Sequence, residues 1–323
     1  MLALGAGFAR SAPVGVALSL ISQAFAACQL ESTRGETQAP GEVAPSAAPR
    51  ASAPAPVVRA ASAPPVARAS DSMVLSGGVC IDAYEAHLVV PTPGGEEPHP
   101  PHLRPANGVE YVARSLAGVR PQAYISRVEA ARACENAGER LCTVEEWYGA
   151  CRGPARTTYP YGKAFERGRC NVGKPHLLTL HFGDDPRAWK YDEHFNSPLL
   201  DQLKGYLEPA GHYAGCKGDA GVYDMVGNLH EWVADSVGAS LAHKLPLQDG
   251  IRRRLRANAG KGVFMGGFFS TTSEHGRGCD FVTIAHEPKY HDYSTGFRCC
   301  KEPSAADGSC SRSGSDTRVM VSE

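Results

Sequence analysis

The feature of this sequence that most constrains its fold is the cysteine content, which reaches eleven in 323 residues. None of the spacings matches the paired CxxC patterns of zinc or iron–sulfur sites, so metal binding by cysteine is not indicated. A disulfide framework accounts better for so many cysteines, and such frameworks persist in oxidising compartments. We therefore predict an exported protein, secreted or periplasmic, whose fold depends partly on covalent bridges.

The first 28 residues have the pattern of a secretory signal peptide. The apolar run over residues 14–27 is short and interrupted, and Ala24-Phe25-Ala26 offers a small-residue cleavage pattern. The tetrapeptide ending at Cys28 is similar to a degraded bacterial lipobox, so lipid anchoring at Cys28 and simple secretion both stay open. Removing Cys28 from the disulfide pool leaves ten cysteines, an even number.

Composition divides the rest of the chain into three parts. Residues 29–72 are rich in Ala, Pro and Ser, and they have too few large apolar residues to offset the entropy of ordering, which predicts a disordered linker. One folded domain is expected over residues 73–302 and a flexible tail over residues 303–323. The formal net charge of −1 creates no field that would attract nucleic acid, so no nucleic-acid partner is expected.

Two short helices are marked by capping boxes. Ser126 and Glu129 open the first helix, and Thr143 and Glu146 open the second. Beyond Gly153 no long helical period returns, and Gly, Pro and Asn interrupt the sequence often, which indicates a loop-rich domain.

Several motifs in the folded part resemble one known family. Residues 221–232 read GVYDMVGNLHEW and residues 296–300 read GFRCC, with YPYG at 159–162 and Cys-Asn at 170–171. Together they resemble the formylglycine-generating enzyme (sulfatase-modifying factor) family over roughly residues 78–302. The resemblance implies an irregular, loop-rich α+β fold related to C-type lectin domains, with two short capped helices and disulfides.

The same resemblance proposes part of the disulfide pairing. It implies bridges from Cys134 to Cys299 and from Cys151 to Cys279. We add a bridge between Cys170 and Cys216, because both flank the same long insertion. The remaining cysteines, Cys80, Cys142, Cys300 and Cys310, stay unassigned.

The resemblance also implies two structural calcium sites. Its first site corresponds to the side chains of Asp224 and Glu231 and the carbonyls of Gly227 and Leu229, an all-oxygen set that suits Ca²⁺. In the alternative interpretation Asp224 makes a side-chain turn and Glu231 an ion pair. A second site is implied by a further set of three residues, Asn171, Val172 and Asp201.

One departure from the family argues against its activity. The family oxidises a cysteine with molecular oxygen at a copper ion held by two thiolates, because soft sulfur ligands stabilise Cu(I). The corresponding positions here fall near Thr271 and Gly276. Copper is therefore not expected, and no catalytic residue is assigned.

We predict a non-catalytic, calcium-stabilised binding or scaffold module of the cell envelope whose partner is an envelope protein or peptide. The predicted ligand groove is lined by His230, Phe268, Phe269 and His275.

A second hypothesis keeps an enzymatic role. Histidines and carboxylates in the same segment suit iron or zinc, which would make the protein a divergent oxidase or a non-haem metal enzyme acting on a peptide cysteine or a small molecule. Those residues are His275, His286, Glu287, His291 and Asp292.

Overall fold

Short helices and strands separated by long loops make up the fold, as a computed structural model shows for residues 72–272 and 275–310. All of these residues belong to one compact unit. The predicted signal peptide with Cys28, almost all of the predicted linker and residues 311–323 lie outside the described residues.

In the part of the chain that the structure describes, eleven strands form three small sheets. In chain order they are β1 (Met73–Ser76), β2 (Val79–Asp82), β3 (His87–Thr92), β4 (Gly95–Pro98), β5 (Val112–Arg114), β6 (Arg140–Leu141), β7 (His230–Ser236), β8 (Gly262–Met265), β9 (Val282–Thr283), β10 (Thr295–Phe297) and β11 (Cys299–Lys301). The strand orders are β1-β2-β11-β6, β10-β7-β8-β9 and β4-β3-β5. All pairs are antiparallel except β10 with β7.

The parallel pair brings the two family-like motifs together. Gly296 on β10 pairs with Glu231 on β7, and Phe297 pairs with Trp232. A Cβ at Gly296 would lie 2.7 Å from the Leu229 side chain, so a larger residue cannot occupy this register without moving the turn. The last strand, β11, then pairs with β2 and β6 and closes the first sheet.

Both predicted capping boxes form. Ser126 and Glu129 cap the first helix reciprocally, and Thr143 and Glu146 cap the second, so both helices begin where the sequence indicates. Further helices are shorter, because the loop-rich second half offers few runs of helix-forming residues. In chain order the helices are α1 (Arg127–Asn136), α2 (Val144–Arg152), α3 (Leu177–Phe182), α4 (Leu241–Lys244) and α5 (Asp249–Arg254). None of the helices in the described part of the chain has the length and apolar character needed to span a bilayer.

Five disulfides connect segments that are distant in sequence. Three of them are the predicted pairs, Cys134–Cys299, Cys151–Cys279 and Cys170–Cys216. The four unassigned cysteines form Cys80–Cys310 and Cys142–Cys300. Because Cys310 is bonded to β2, the covalent framework extends beyond residue 302, where the sequence placed the end of the domain.

Candidate functional site

A cavity of about 780 Å³ lies among loops that follow α2 in the chain. Its walls come from residues 158–173, from the segment that precedes α5 and from the loop between β8 and β9. Its size falls in the range of ligand-binding pockets, roughly 300–1,000 Å³. Thr271 and Gly276, near which the resemblance places the family's thiolates, both line this cavity.

Thr271 has a local structural role. Its hydroxyl accepts a hydrogen bond from the Phe268 backbone N–H at 2.7 Å, which fixes the turn that follows Gly266 and Gly267. Both glycines have positive φ, and a Cβ on Gly267 would lie 2.7 Å from the Thr271 Oγ1. A hard hydroxyl in this position offers no soft ligand for copper.

Gly276 leaves no room for a side chain. Its φ is +131°, and a Cβ built there would lie 2.4 Å from the Asp280 carbonyl oxygen. A contact this short requires the backbone to move, so a cysteine does not fit in the present loop. Cys170 also lines the cavity, but its sulfur is bonded to Cys216. The residues present do not fit a dithiolate copper site.

The four residues predicted to line a ligand groove occupy other places. None of them is among the residues that line the cavity. Phe269 is fully buried in an apolar cluster, and His230 is 7% exposed, so these two are core residues. His230 nevertheless stacks on Phe281, which does line the cavity, with ring centroids 5.4 Å apart. The prediction chose the right segment but the wrong side chains, because residues 276–281 line this cavity in place of the four predicted residues.

The histidines of this region alternate with aromatic rings. His275 stacks on Phe281, and His286 stacks on Phe264 and on Tyr290. Within the described ranges, the one group of three His, Cys, Asp or Glu side chains whose ligand atoms converge within 4.8 Å is Asp82, Glu139 and Cys299. The Cys299 sulfur is in a disulfide. The predicted histidine–carboxylate set therefore does not converge on a metal position.

The first predicted calcium site is built around a buried ion pair. Glu231 is 1% exposed and receives two hydrogen bonds from Arg298, at 2.5 and 2.6 Å, and one from the Trp147 indole at 2.7 Å. Asp224 has φ +56° and accepts from the Gly211 N–H at 2.6 Å. Burial raises the pKa of Asp224 to about 6. The Glu231–Arg298 ion pair of the alternative interpretation is present, whereas Asp224 bonds a distant backbone N–H and not its own turn.

Glu85 belongs to the same cluster, and sequence reasoning missed it. Its carboxylate accepts from the Leu229 N–H at 3.0 Å and from the Asn228 amide at 2.5 Å. Burial, followed by the nearby Asp224 and Glu231 carboxylates, raises the pKa of Glu85 well above its usual range. Three carboxylates around one guanidinium leave an excess of buried negative charge, which a divalent cation would balance. The available signal was an acidic residue at the end of the apolar segment 79–85.

The second predicted calcium site contains oxygen atoms that lack partners. Both carboxylate oxygens of Asp201 and the side-chain oxygen of Asn171 are buried without a hydrogen bond. Burial, followed by the charge of Asp292, raises the pKa of Asp201 well above its usual range. Unsatisfied buried oxygens cost free energy unless a cation or water binds them. Carboxylate and amide oxygens without partners are ligands of the kind that a hard cation prefers, and Val172 follows Asn171 directly in the chain.

The comparison with solved structures gives weak overall similarity. The crystal structure of CarF matches with a TM-score of 0.35 and 15% identity, covering 57% of this chain and 69% of that one. The Major Tropism Determinant P3c variant matches with a TM-score of 0.35 and 15% identity, covering 73% of this chain and 54% of that one. The predicted relationship to C-type lectin domains stays a prediction.

Sequence comparison gives a clearer result. The chain is 30% identical over 121 residues to the inactive C-alpha-formylglycine-generating enzyme 2 of Bos taurus, covering 37% of this chain and 34% of that protein. The Mus musculus protein of the same name is 30% identical over 117 residues, covering 36% and 32%. The match thus spans about a third of each relative. The family model described as a sulfatase-modifying factor enzyme 1-like domain matches residues 99–303, more than half of the 323 residues, so the chain belongs to this family.

Proposed function

We propose that this chain is an exported, non-catalytic member of the family that acts as a calcium-stabilised binding or scaffold module at the cell envelope. The observation that carries the proposal is the loop at Thr271 and Gly276, where one thiolate position holds a hydrogen-bonded hydroxyl and the other has no space for a Cβ. The two relatives above are named inactive, which agrees with this proposal.

Binding is the activity that the remaining geometry supports. The cavity is open to a ligand and combines aromatic rings with a few polar and charged groups, the usual composition of a binding pocket. Five disulfides suit an oxidising compartment, which supports export. Lipid at Cys28 would add an anchor to the envelope.

Oxygen consumption tests the absence of catalysis. The full chain is incubated with copper and a cysteine-containing sulfatase-type peptide, and dissolved oxygen and peptide mass are followed together. We expect both to stay at the level of a protein-free control. Oxidation of the peptide cysteine that disappears in a His275→Ala variant would establish the divergent oxidase instead.

Calcium binding is proposed chiefly at the second site, through Asn171, Val172 and Asp201. A bound Ca²⁺ would neutralise the buried carboxylate and fill the oxygen contacts that the chain leaves open. Calcium should therefore raise the thermal midpoint with the logarithm of its free concentration above the Kd, and a strong chelator should lower it. Asp201→Asn should abolish most of this response, whereas Asp184→Asn, an exposed aspartate of the same insertion, should retain it. Equal responses in the two variants would reject this site.

A further inference from the structure

Three aromatic rings from one loop form part of the cavity wall. Tyr159 stacks on Tyr161 with centroids 5.4 Å apart, and Phe165 lies 5.9 Å from Tyr159. Phe165 is 55% exposed, which leaves a large apolar ring in water at the cavity. Because burying such a ring is favourable, this wall favours a ligand with apolar surface, and an aromatic ring can also stack there.

Two cations beside this wall have no hydrogen-bond or ion-pair partner among the described residues. Lys163 lies in the same loop, Arg277 lies on a second segment of the lining, and both are exposed. Within residues 72–272 and 275–310, neither side chain makes a hydrogen bond or an ion pair. Exposed guanidinium and ammonium groups at a cavity are free to pair with a ligand carboxylate.

The carboxylate that lines the cavity in the described part of the chain is already engaged. Asp280 accepts a hydrogen bond from the Tyr148 hydroxyl at 2.6 Å. Burial, followed by this bond, raises the pKa of Tyr148, so the phenol stays a donor to the charged carboxylate. The two cations of the lining outnumber this single engaged anion, which gives the cavity a positive balance.

We propose that the cavity binds ligands in which a carboxylate lies a few bonds from an aromatic ring. The ring would rest against Tyr159, Tyr161 and Phe165, and the carboxylate would pair with Lys163 and Arg277. A volume of about 780 Å³ accommodates either a free aromatic acid or an acidic and aromatic pair of residues in a peptide. The inference rests on the non-catalytic function proposed above, because a binding module needs a ligand for this cavity.

Calorimetric titration of the full chain with four matched probes tests the ligand class. Phenylacetate represents a free aromatic acid, and N-acetyl-Asp-Phe-amide represents a peptide, while phenylacetamide and phenethylammonium keep the ring and remove or reverse the charge. We expect both anions to bind saturably and the other two to bind at least tenfold more weakly. Tighter binding of the dipeptide than of phenylacetate would identify a peptide source, and the reverse would identify a small free acid.

Charge-reversal variants place the binding in this cavity. Lys163→Glu combined with Arg277→Glu should weaken the anions at least tenfold, and Phe165→Ala should weaken every aromatic probe. Arg167→Glu is the matched control, because Arg167 is exposed in the same loop but does not line the cavity. This variant should bind the anionic probes as tightly as wild type does. Unchanged near-ultraviolet circular dichroism would show that the variants fold.

The inference is overturned if phenylacetamide binds as tightly as phenylacetate, if the double variant binds the anions normally, or if no probe binds. Each of these results leaves the non-catalytic proposal standing, since that proposal depends on oxygen consumption. Conversely, oxidation of a peptide cysteine would reject the proposed function without deciding which ligand charge the cavity prefers.

Discussion

The turn over residues 221–232 and the loop over residues 266–281 differ in what holds them. In the turn, Glu231 is buried against Arg298 and Trp147, and Arg298 also donates to the carbonyls of Asp82 and Tyr223. In the loop, the Thr271 hydroxyl accepts from the Phe268 N–H of its own turn, and Gly276 carries no side chain. The carboxylate of the turn is therefore held by buried side chains from distant segments, whereas these two loop positions face a cavity. Stability and chemistry are carried by separate residues in this fold, so the chemistry can be lost while the fold stays.

The largest difference between the two regions should follow from removing the arginine that pairs with the turn and, separately, an arginine of the loop. Arg298→Met leaves the Glu231 carboxylate buried without its cation and leaves two buried carbonyls without donors. Breaking such a pair costs about 3–5 kcal/mol, so the free energy of unfolding in urea should fall by that amount or the protein should fail to fold. Arg277→Met, at the cavity, should change it by less than about 0.5 kcal/mol. Similar costs for both variants would remove the distinction between the regions.

A second test concerns the bridge that joins α2 to the cavity loop. Cys151–Cys279 closes a sequence separation of 128 residues, and its loss should lower the free energy of unfolding by about 2–4 kcal/mol. The variant Cys151→Ser with Cys279→Ser measures this cost in urea, with Thr272→Ser as a control at an exposed cavity position. Because the loop contributes one wall, binding of phenylacetate should weaken as well. A double variant with unchanged stability would show that the loop is held by packing alone.

Local interactions were the part of the fold that the sequence could predict. Ser126 with Glu129 and Thr143 with Glu146 form capping boxes within one helical turn, so neighbouring residues contain the whole signal. The bridges Cys80–Cys310 and Cys142–Cys300 have sequence separations of 230 and 158, and no local pattern specifies them. Ten cysteines allow too many pairings for spacing alone to choose among them.

The candidate site could be predicted from the sequence only in outline. Thr271 and Gly276, near which the resemblance places the family's thiolates, both line the cavity. The ring directions did not follow from the sequence, since Phe269 turns into the core at a glycine-rich bend with positive φ. Glu85 entered the buried polar cluster through a contact with Leu229 that lies 144 residues away. Such long-range contacts depend on the complete fold.

Restoring the two cysteines should not restore the chemistry of the loop. Gly276→Cys places a Cβ within 2.4 Å of the Asp280 carbonyl and imposes a strained φ, so stability should fall by about 1–3 kcal/mol. Thr271→Cys alone loses one hydroxyl hydrogen bond and should cost about 1 kcal/mol. The double variant, measured by copper titration and oxygen consumption, should show neither tight copper binding nor turnover. Turnover in this variant would mean that the missing thiols are the only barrier to catalysis and that the loop backbone adapts.

The last expected effect is a pH dependence in the ring stack that borders β8. Burial lowers the pKa of His286 to about 4, below the value of about 6.5 expected in the unfolded chain. The unfolded state therefore binds more protons between these values, and stability is present above pH 6.5 and falls as the pH drops toward 4. Between pH 7 and pH 5 this histidine should account for a loss of roughly 2 kcal/mol. His286→Phe keeps a ring against Phe264 and Tyr290 but cannot be protonated. Its free energy of unfolding in urea should therefore fall less than that of wild type between pH 7 and pH 5.

His181→Phe, at an exposed position, should follow wild type. Equal pH profiles for all three proteins would show that His286 is not the group responsible.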